Sequence, residues 1–355
     1  MSLLDHLIAR IDIDGPLSLA DYMAECLLNP KYGYYTTRSP IGAAGDFTTA
    51  PEISQMFGEL LGLCLAQAWM DQGSPAPFTL AELGPGRGTL MADFLRATRA
   101  VPGFHKAMDL HLVEASPALR KAQAEALQGH SPEWHDSIEA LPQQPLFVVA
   151  NEFFDALPVR QFLRDGSGWR EKRVGFSDGA LSFGLGPIAQ QTALAHRVED
   201  TRDGDLIEIC EAAAPITTAL AERITAHGGA ALIIDYGDWR SLGDTLQALR
   251  YHAPSDPLDA PGMADLTTHV DFEALCGAAQ TAGCAFSRLT PQGVFLERLG
   301  ITDRARALAA PLQGAALENL ITAHRRLTHP EEMGNLFKVL GLFPATATPP
   351  PGLQS

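Results

Sequence analysis

Residues 78–91, FTLAELGPGRGTLM, decide how this chain can fold. An apolar run ends in an acid, and glycines follow at alternate positions 84, 86 and 88. A buried strand that runs into a glycine-rich turn and then a helix is the nucleotide-binding end of a doubly wound sheet, because a backbone without side chains can approach a ligand closely. The dinucleotide fingerprint would need glycine at position 89, where threonine stands, and no G-K-[ST] follows for a P-loop. The sequence therefore excludes the dinucleotide fingerprint and the P-loop. Two interpretations remain: another nucleotide-like site, or a tight turn that binds no ligand.

Strand-like and helix-like segments alternate around this turn. Buried strands are predicted for FTLAEL, DLHLVEA, LFVVANE and GAALIIDYG, with helices that begin at Gly88 and Ser116 and a further helix over 213–227. Such alternation is typical of an α/β fold with a doubly wound, mostly parallel sheet covered by helices on both faces. We therefore expect one α/β domain over residues 78–344.

The residues before the sheet are predicted to form helices joined by a loop. SLADYMAECLLNP predicts a short helix with Ser18 as its N-cap, and a long helix is expected to open with Pro51. Between them, the segment GDFTTAPE offers Asp46 and Thr48 as polar contacts for a ligand. We expect residues 1–77 to form an N-terminal helical cap with a ligand-covering loop, although a packed surface loop is the alternative.

Two other segments depart from the alternation. Residues 159–210 contain short alternating stretches with Asp-Gly pairs at 165–166 and 178–179, which predict an inserted β-hairpin region that could contact a substrate. The tail, residues 345–355, is rich in proline and is predicted to be disordered.

Composition excludes several classes of protein. The chain has 26 basic and 42 acidic residues and a formal charge of −16, so non-specific binding to nucleic acid is not expected. The five cysteines are scattered and show no zinc-ligand spacing, so reduced thiols and no metal site are expected. The sequence contains no signal-like start and no run of about 20 apolar residues, so we expect a soluble protein of the bacterial cytoplasm without membrane insertion.

Polar residues stand at the predicted carboxyl ends of four strands, where open α/β sheets bind their ligands. Glu114 ends the second strand and could accept both hydroxyls of a ribose. Asp136 and Ser137 follow a third strand-like segment and could meet an adenine amino group. Asn151 and Glu152 end the fourth strand. Solvated strand-end acids are the alternative for each position.

The glycine turn matches the E/D-x-G-x-G-x-G pattern of class I S-adenosylmethionine (SAM) methyltransferases, and the chain as a whole resembles the MidA-like methyltransferases. The resemblance covers most of the chain and rests on these segments, in order: YGYY, GDFTTAPEISQMFGEL, ELGPGRGTLM, NEFFDALPVRQF, DYG, ADLTTHVDF, TPQGVFLERLGI and MGNLFKVL. It implies a Rossmann-like class I methyltransferase domain that uses SAM. Because the family includes a mitochondrial complex I assembly factor that methylates an arginine, it also implies a protein arginine as the acceptor and a respiratory complex I subunit as the expected partner.

The resemblance and the strand ends together define the candidate site. The expected cofactor-binding residues are Glu82, Gly84, Gly86, Gly88, Glu114, Asp136, Ser137, Asn151, Glu152, Asp46 and Thr48.

Catalytic roles are expected for Glu152 and Asp155. An arginine guanidinium stays protonated, so carboxylates must hold it and aim one nitrogen at the electrophilic methyl of SAM. The alternative is structural: Asp155 would cap the following turn, and Glu152 would only bind backbone. Asp265 and His269 are further candidates for the substrate pocket.

Two other functions are compatible with the same cofactor turn. One is methylation of a small molecule, since this fold serves many acceptors. The other is a non-catalytic assembly factor that binds SAM. The sequence leaves the acceptor residue, the number of methyl groups transferred and the oligomeric state open.

Overall fold

The computed structural model describes residues 2–37 and 49–355. The strands are β1 (Leu17–Ser18), β2 (Phe78–Leu83), β3 (Met108–Val113), β4 (Glu133–His135), β5 (Leu146–Asn151), β6 (Arg160–Asp165), β7 (Gly168–Ser177), β8 (Ala180–Ala189), β9 (Leu206–Ile209), β10 (Gly229–Asp238), β11 (Gln247–Arg250), β12 (Ala253–Ser255), β13 (Asp265–Thr267), β14 (Val270–Asp271), β15 (Cys284–Phe286), β16 (Thr290–Pro291) and β17 (Phe337–Pro344).

The α-helices of the described residues are α1 (Leu3–Asp14), α2 (Leu19–Leu28), α3 (Tyr34–Thr37), α4 (Ala50–Ile53), α5 (Gln55–Asp71), α6 (Thr89–Thr98), α7 (Phe104–Ala107), α8 (Pro117–Ala126), α9 (Ala213–His227), α10 (Phe272–Thr281), α11 (Gln292–Arg298), α12 (Ile301–Ala309) and α13 (Ala315–Thr328). None of these helices is both long and apolar enough to cross a membrane.

The central sheet has the order β15-β17-β10-β5-β2-β3-β4. Strands β4, β3, β2, β5 and β10 run parallel, whereas β17 is antiparallel to both of its neighbours. Strands β2 and β5 are buried along their whole length, as expected for strands covered on both faces. The predicted α/β fold is therefore confirmed. The strand order reverses between β2 and β5, and this switch point is where such sheets bind ligands.

The N-terminal helices begin where their capping residues predict, with one difference. The Ser18 side chain accepts a hydrogen bond from the Asp21 amide at 3.0 Å, so Ser18 is the N-cap of α2, as predicted. The helix expected to start at Pro51 is instead divided into α4 and α5, because Ser54 is extended and its side chain accepts a hydrogen bond from the Met56 amide at 3.2 Å.

A second sheet has the order β1-β7-β6-β9, and β8 pairs with β7 at its edge. The Asp165-Gly166 and Asp178-Gly179 pairs stand between β6 and β7 and between β7 and β8, where glycine φ values of 57° and 82° permit tight turns. Strand β1 comes from the N-terminal segment, so that segment and the hairpins inserted between β5 and β10 share one sheet.

The carboxyl-terminal tail is ordered, contrary to the prediction for residues 345–355. Leu353 is buried against the core that contains Cys64. The Cys64 thiol donates to the Pro351 carbonyl at 3.3 Å, and the Arg298 guanidinium donates to the Gly352 carbonyl at 3.1 Å. Proline-rich composition suggested disorder, but one apolar anchor and several backbone hydrogen bonds hold the segment in place.

Candidate active site

A cavity of about 590 Å³ lies at the carboxyl ends of the parallel strands, beside the switch point. This volume lies within the range of cofactor and small-ligand sites. The cavity brings together the following predicted residues: Gly84, Gly86, Glu114, Asp136, Ser137, Glu152 and Asp155. The further candidates Asp265 and His269 line it as well.

Three other predicted residues, Glu82, Gly88 and Asn151, are not among the described residues that line the cavity. Asp46 and Thr48 fall outside the described residues. Burial and the nearby Glu114 carboxylate raise the pKa of Glu82 to about 8. Glu82 is buried near the end of β2, directly before the glycine turn, and its role in cofactor binding stays a prediction.

The turn after β2 needs glycine for both conformational and steric reasons. Gly84, Gly86 and Gly88 have φ values of 61°, 54° and 82°, all in the left-handed region that disfavours other residues. A Cβ atom on Gly84 would lie 3.0 Å from the Phe153 ring. The glycine spacing read from the sequence thus corresponds to a real backbone requirement at the cavity wall.

Glu114 is held in place at the end of β3. Its Oε1 atom accepts from the Ser116 amide at 2.8 Å, and its Oε2 atom accepts from Gln123 Nε2 at 3.1 Å. The same Gln123 nitrogen donates to the Gly86 carbonyl at 2.8 Å, and Trp134 Nε1 donates to Gln123 Oε1 at 2.8 Å. Buried Gln123 therefore fixes the acid relative to the glycine turn. The sequence offered no signal for this role beyond a glutamine within a helix.

Asp136 and Ser137 follow β4 and are both exposed at the cavity edge. The Asp136 carboxylate pairs with the Arg120 guanidinium, which also donates through Nε to the Glu114 carbonyl at 2.7 Å. Arg120 consequently links the ends of β3 and β4, and it leaves Asp136 less free to bind a ligand than the sequence alone suggested.

Glu152 has an unusual backbone conformation directly after β5. Its φ of 51° is uncommon for a residue other than glycine, and such conformations concentrate at functional sites. Its Oε1 atom accepts from the Ala50 amide and from Asn151 Nδ2, both at 3.1 Å. Burial and the Asp155 carboxylate raise the pKa of Glu152 to about 7. The structural alternative for Glu152 predicts a contact with the backbone, and that contact is present. The Glu152 side chain also lines the cavity.

The turn from residue 152 to residue 157 is capped by Asp235, which the sequence analysis did not single out. Asp235 Oδ2 accepts hydrogen bonds from the backbone amides of Phe153, Phe154 and Asp155 at 3.0–3.2 Å. Asp155 is itself 5% exposed, and burial raises its pKa to about 6. Asp155 lines the cavity, and hydrogen bonds from the Tyr236 side chain and the Ala156 amide partly offset the effect of burial on its pKa.

Aromatic and acidic side chains surround the same end of the cavity. The Tyr35 hydroxyl donates to Asp265 Oδ1 at 2.8 Å. The Tyr236 and His269 rings meet edge to face with centroids 5.4 Å apart. Burial lowers the pKa of His269, which favours the neutral ring. No local sequence pattern shows the Tyr35–Asp265 contact, because it joins segments 230 residues apart.

The described residues fit SAM as a cofactor. Two of the buried acceptor atoms that have no hydrogen-bond donor among the described parts of the chain lie beside the glycine turn: Glu82 Oε2 and Asn151 Oδ1. These atoms stand at or just after the ends of β2 and β5, and buried acceptors of this kind normally have a partner. SAM has an amino group, two ribose hydroxyls and an adenine amine, so it offers hydrogen-bond donors. It can also pack closely against the glycine turn, which has no side chains.

Comparison with known proteins agrees with this geometry. Residues 60–290 match a family model described as "Putative S-adenosyl-L-methionine-dependent methyltransferase". The protein arginine methyltransferase NDUFAF7, mitochondrial, of Danio rerio is 38% identical over 370 residues, which cover 96% of this chain and 87% of that protein. The Homo sapiens protein of the same name is 36% identical and is covered to 83%.

A solved structure is similar over almost the whole length. The crystal structure of a COG1565 superfamily member from Burkholderia thailandensis, bound to S-adenosyl-homocysteine, has a TM-score of 0.83 and 31% sequence identity. The match covers 96% of this chain and 91% of that one. The relative thus carries the demethylated form of SAM on the same fold.

Proposed function

This chain belongs to the MidA-like family of SAM-dependent methyltransferases, and we propose that it transfers the methyl group of SAM to an arginine of a protein. A protein arginine as acceptor is supported by relatives that are 36–38% identical and are protein arginine methyltransferases, and by the chemistry of the cavity.

The acidic and aromatic end of the cavity carries this proposal. Asp155, Glu152 and Asp265 line it together with Tyr35 and Tyr236. Asp155 Oδ1 is buried and accepts no hydrogen bond from the described residues, so a bound group with N–H donors would supply the missing hydrogen bond. A guanidinium is planar and cationic and carries five such donors, which makes it well matched to paired carboxylates beside aromatic rings.

The reaction requires orientation and removal of one proton. SAM supplies an electrophilic methyl group when it is bound. The Asp155 and Glu152 carboxylates would hold the guanidinium so that one nitrogen attacks in line, and buried surroundings would exclude water. In the transfer, a bond would form between this nitrogen and the methyl carbon as the sulfur–carbon bond breaks, and one of the two carboxylates would take the proton that the nitrogen loses. Their pKa values of about 6 and about 7 suit this exchange near neutral pH.

We also propose roles for individual residues. Glu114 would accept the ribose hydroxyls, and Asp136 and Ser137 would meet the adenine. The N-terminal helices, which line the cavity through Leu28, Tyr35 and Thr36, would receive the protein substrate, and a substrate contact by residues 159–210 stays a prediction. A respiratory complex I subunit as partner and a cytoplasmic location remain predictions.

One experiment distinguishes the acceptor classes. The protein is incubated with methyl-labelled SAM and a lysate from cells that lack its gene, and the labelled residue is identified after acid hydrolysis. We expect label in methylarginine of a protein band. Label confined to small molecules would contradict the protein acceptor, whereas bound SAM without any transfer would indicate a non-catalytic role.

A further inference from the structure

We propose that His111, Glu133 and His135 form a binding site for a divalent transition metal, with Zn²⁺ as the best-matched ion. The site lies on β3 and β4 at the edge of the central sheet, outside the cavity described above. Imidazole nitrogen and carboxylate oxygen are the ligands that Zn²⁺ takes together in proteins with three protein ligands and one open position.

The sheet register brings the three side chains together. Strands β3 and β4 run parallel, with His111 opposite Glu133 and Val113 opposite His135. Side chains two residues apart on a strand share a face, so Glu133 and His135 point to the same side. His111 joins them from the neighbouring strand.

The ligand atoms already lie close to a coordination geometry. His111 Nδ1 and His135 Nε2 are 2.9 Å apart. The two Glu133 carboxylate oxygens lie 4.0 Å from His111 Nδ1 and 3.9 Å from His135 Nε2, one oxygen facing each ring. Ligands about 2.0–2.1 Å from a tetrahedral zinc are separated by about 3.3 Å. The imidazoles must therefore open by a few tenths of an ångström, and the carboxylate must approach by about half an ångström.

Burial differs among the ligands in a way that suits metal entry. The two imidazoles are buried, so packing holds their rings in place. The Glu133 side chain is 70% exposed and can rotate toward an incoming ion. The site would thus be two fixed nitrogens with one mobile carboxylate, and water would fill the remaining position. Without a metal, the same two rings can share one N–H···N hydrogen bond. The close approach of the rings thus fits two states, one with a bound metal and one with a hydrogen bond between the imidazoles.

The position of the site connects it with the cofactor pocket. The His135 carbonyl accepts a hydrogen bond from the Glu114 amide at 3.0 Å, and Asp136 and Ser137 follow directly. A metal that ties β4 to β3 would stiffen the strand ends that carry the residues proposed to bind ribose and adenine. The metal site itself does not depend on that assignment.

The test is a calorimetric titration of the chelator-treated full chain with Zn²⁺, together with the absorption spectrum after addition of Co²⁺. We expect one saturable site and a Co²⁺ spectrum of low coordination number. Glu133→Gln keeps the size of an exposed side chain, so it should fold normally and weaken Zn²⁺ binding by about tenfold or more, since ligand-sphere changes typically have this effect. His111→Gln should remove the site.

The matched control is His130→Gln, because His130 and His105 form another close ring pair, with centroids 6.0 Å apart, outside the proposed ligand set. This variant should bind Zn²⁺ like the wild type. The proposal is overturned if the wild type shows no saturable site, or if Glu133→Gln binds Zn²⁺ as tightly as the wild type. If His111→Gln does not fold, the Zn²⁺ titration of Glu133→Gln still tests the proposal, because residue 133 is exposed.

Discussion

The backbone amide of Asp155 donates a hydrogen bond to Asp235 Oδ2 at 3.1 Å. Asp235 therefore stabilises the turn after β5, a role that the sequence analysis did not assign to it. The turn holds the Asp155 carboxylate at the cavity, next to Glu152. Asp235, a buried acid that accepts hydrogen bonds from backbone amides, thus positions Asp155 for contact with a ligand.

Replacement of Asp235 should destabilise the protein. Asp235→Ala leaves three buried amides without their acceptor, and we expect a loss of about 2–4 kcal/mol in the free energy of unfolding. Urea denaturation measures this loss. Asp238→Ala, at the exposed end of the same strand, is the control and should cost far less. Equal stability of the two variants would contradict the capping role.

The glycine turn should be needed for cofactor binding more than for folding. Gly86→Val places a branched side chain at a residue with φ of 54° on the cavity wall, so affinity for SAM should be lost while the circular dichroism spectrum is retained. Gly129→Val is the control, because Gly129 has φ of 90° but open space around its Cβ position. Normal SAM binding by Gly86→Val in calorimetry would show that the turn has only a structural role.

Loss of Glu114 should weaken cofactor binding without abolishing the chemistry. Glu114→Ala removes the proposed acceptor of two hydroxyls, a cost of ~1–3 kcal/mol or about 5- to 150-fold in affinity. Turnover should partly recover at high SAM concentration, because the acceptor residues remain. Calorimetry and initial rates at several SAM concentrations test this. A rate that stays low at saturation would place Glu114 in the chemical step instead.

The raised pKa values predict a characteristic pH dependence. Asp155 and Glu152, with pKa values of about 6 and about 7, must ionise to hold a guanidinium, so kcat/KM for the acceptor should rise between about pH 5 and pH 8. The folded state binds more protons than the unfolded state over the same range. The contribution of these groups to the free energy of unfolding must therefore fall as pH rises. A pH-independent rate below pH 7 would contradict ionisation of this pair.

The fold could be predicted because local patterns determine it. The buried strands FTLAEL and LFVVANE and the glycine turn between strand and helix each carry a short-range signal, and the parallel sheet follows from their alternation. The ends of parallel strands meet at one edge, so Glu114 and Glu152 could be placed at one cavity from sequence alone. The packed tail depends on tertiary contacts, and the break at Ser54 depends on a local serine cap that the helical pattern obscured.

The remaining site residues depend on contacts between distant segments. Tyr35 reaches Asp265 across 230 positions, and Asp235 caps a turn 80 residues before it. The proposed metal ligands show the same effect. Glu133 and His135 have a simple spacing on β4, but their partner His111 is 22 residues earlier on another strand. A search for metal-ligand spacing along one segment cannot find such a set.

The role of Asp155 is tested by one variant that separates binding from chemistry. Asp155→Asn keeps the size of the side chain but removes the charge that would orient the acceptor, so SAM affinity should stay near the wild-type value. The kcat for methyl transfer to the identified arginine should fall by about 100-fold or more. Glu139→Gln removes a charge at an exposed position of the same cavity and serves as the control.

The decisive measurement is the rate of methyl transfer to the identified acceptor at saturating SAM by Asp155→Asn, beside its SAM affinity from calorimetry. The account predicts intact affinity and a kcat that remains low at every SAM concentration. Transfer at the wild-type rate would contradict the assignment of the acidic end of the cavity as the arginine site.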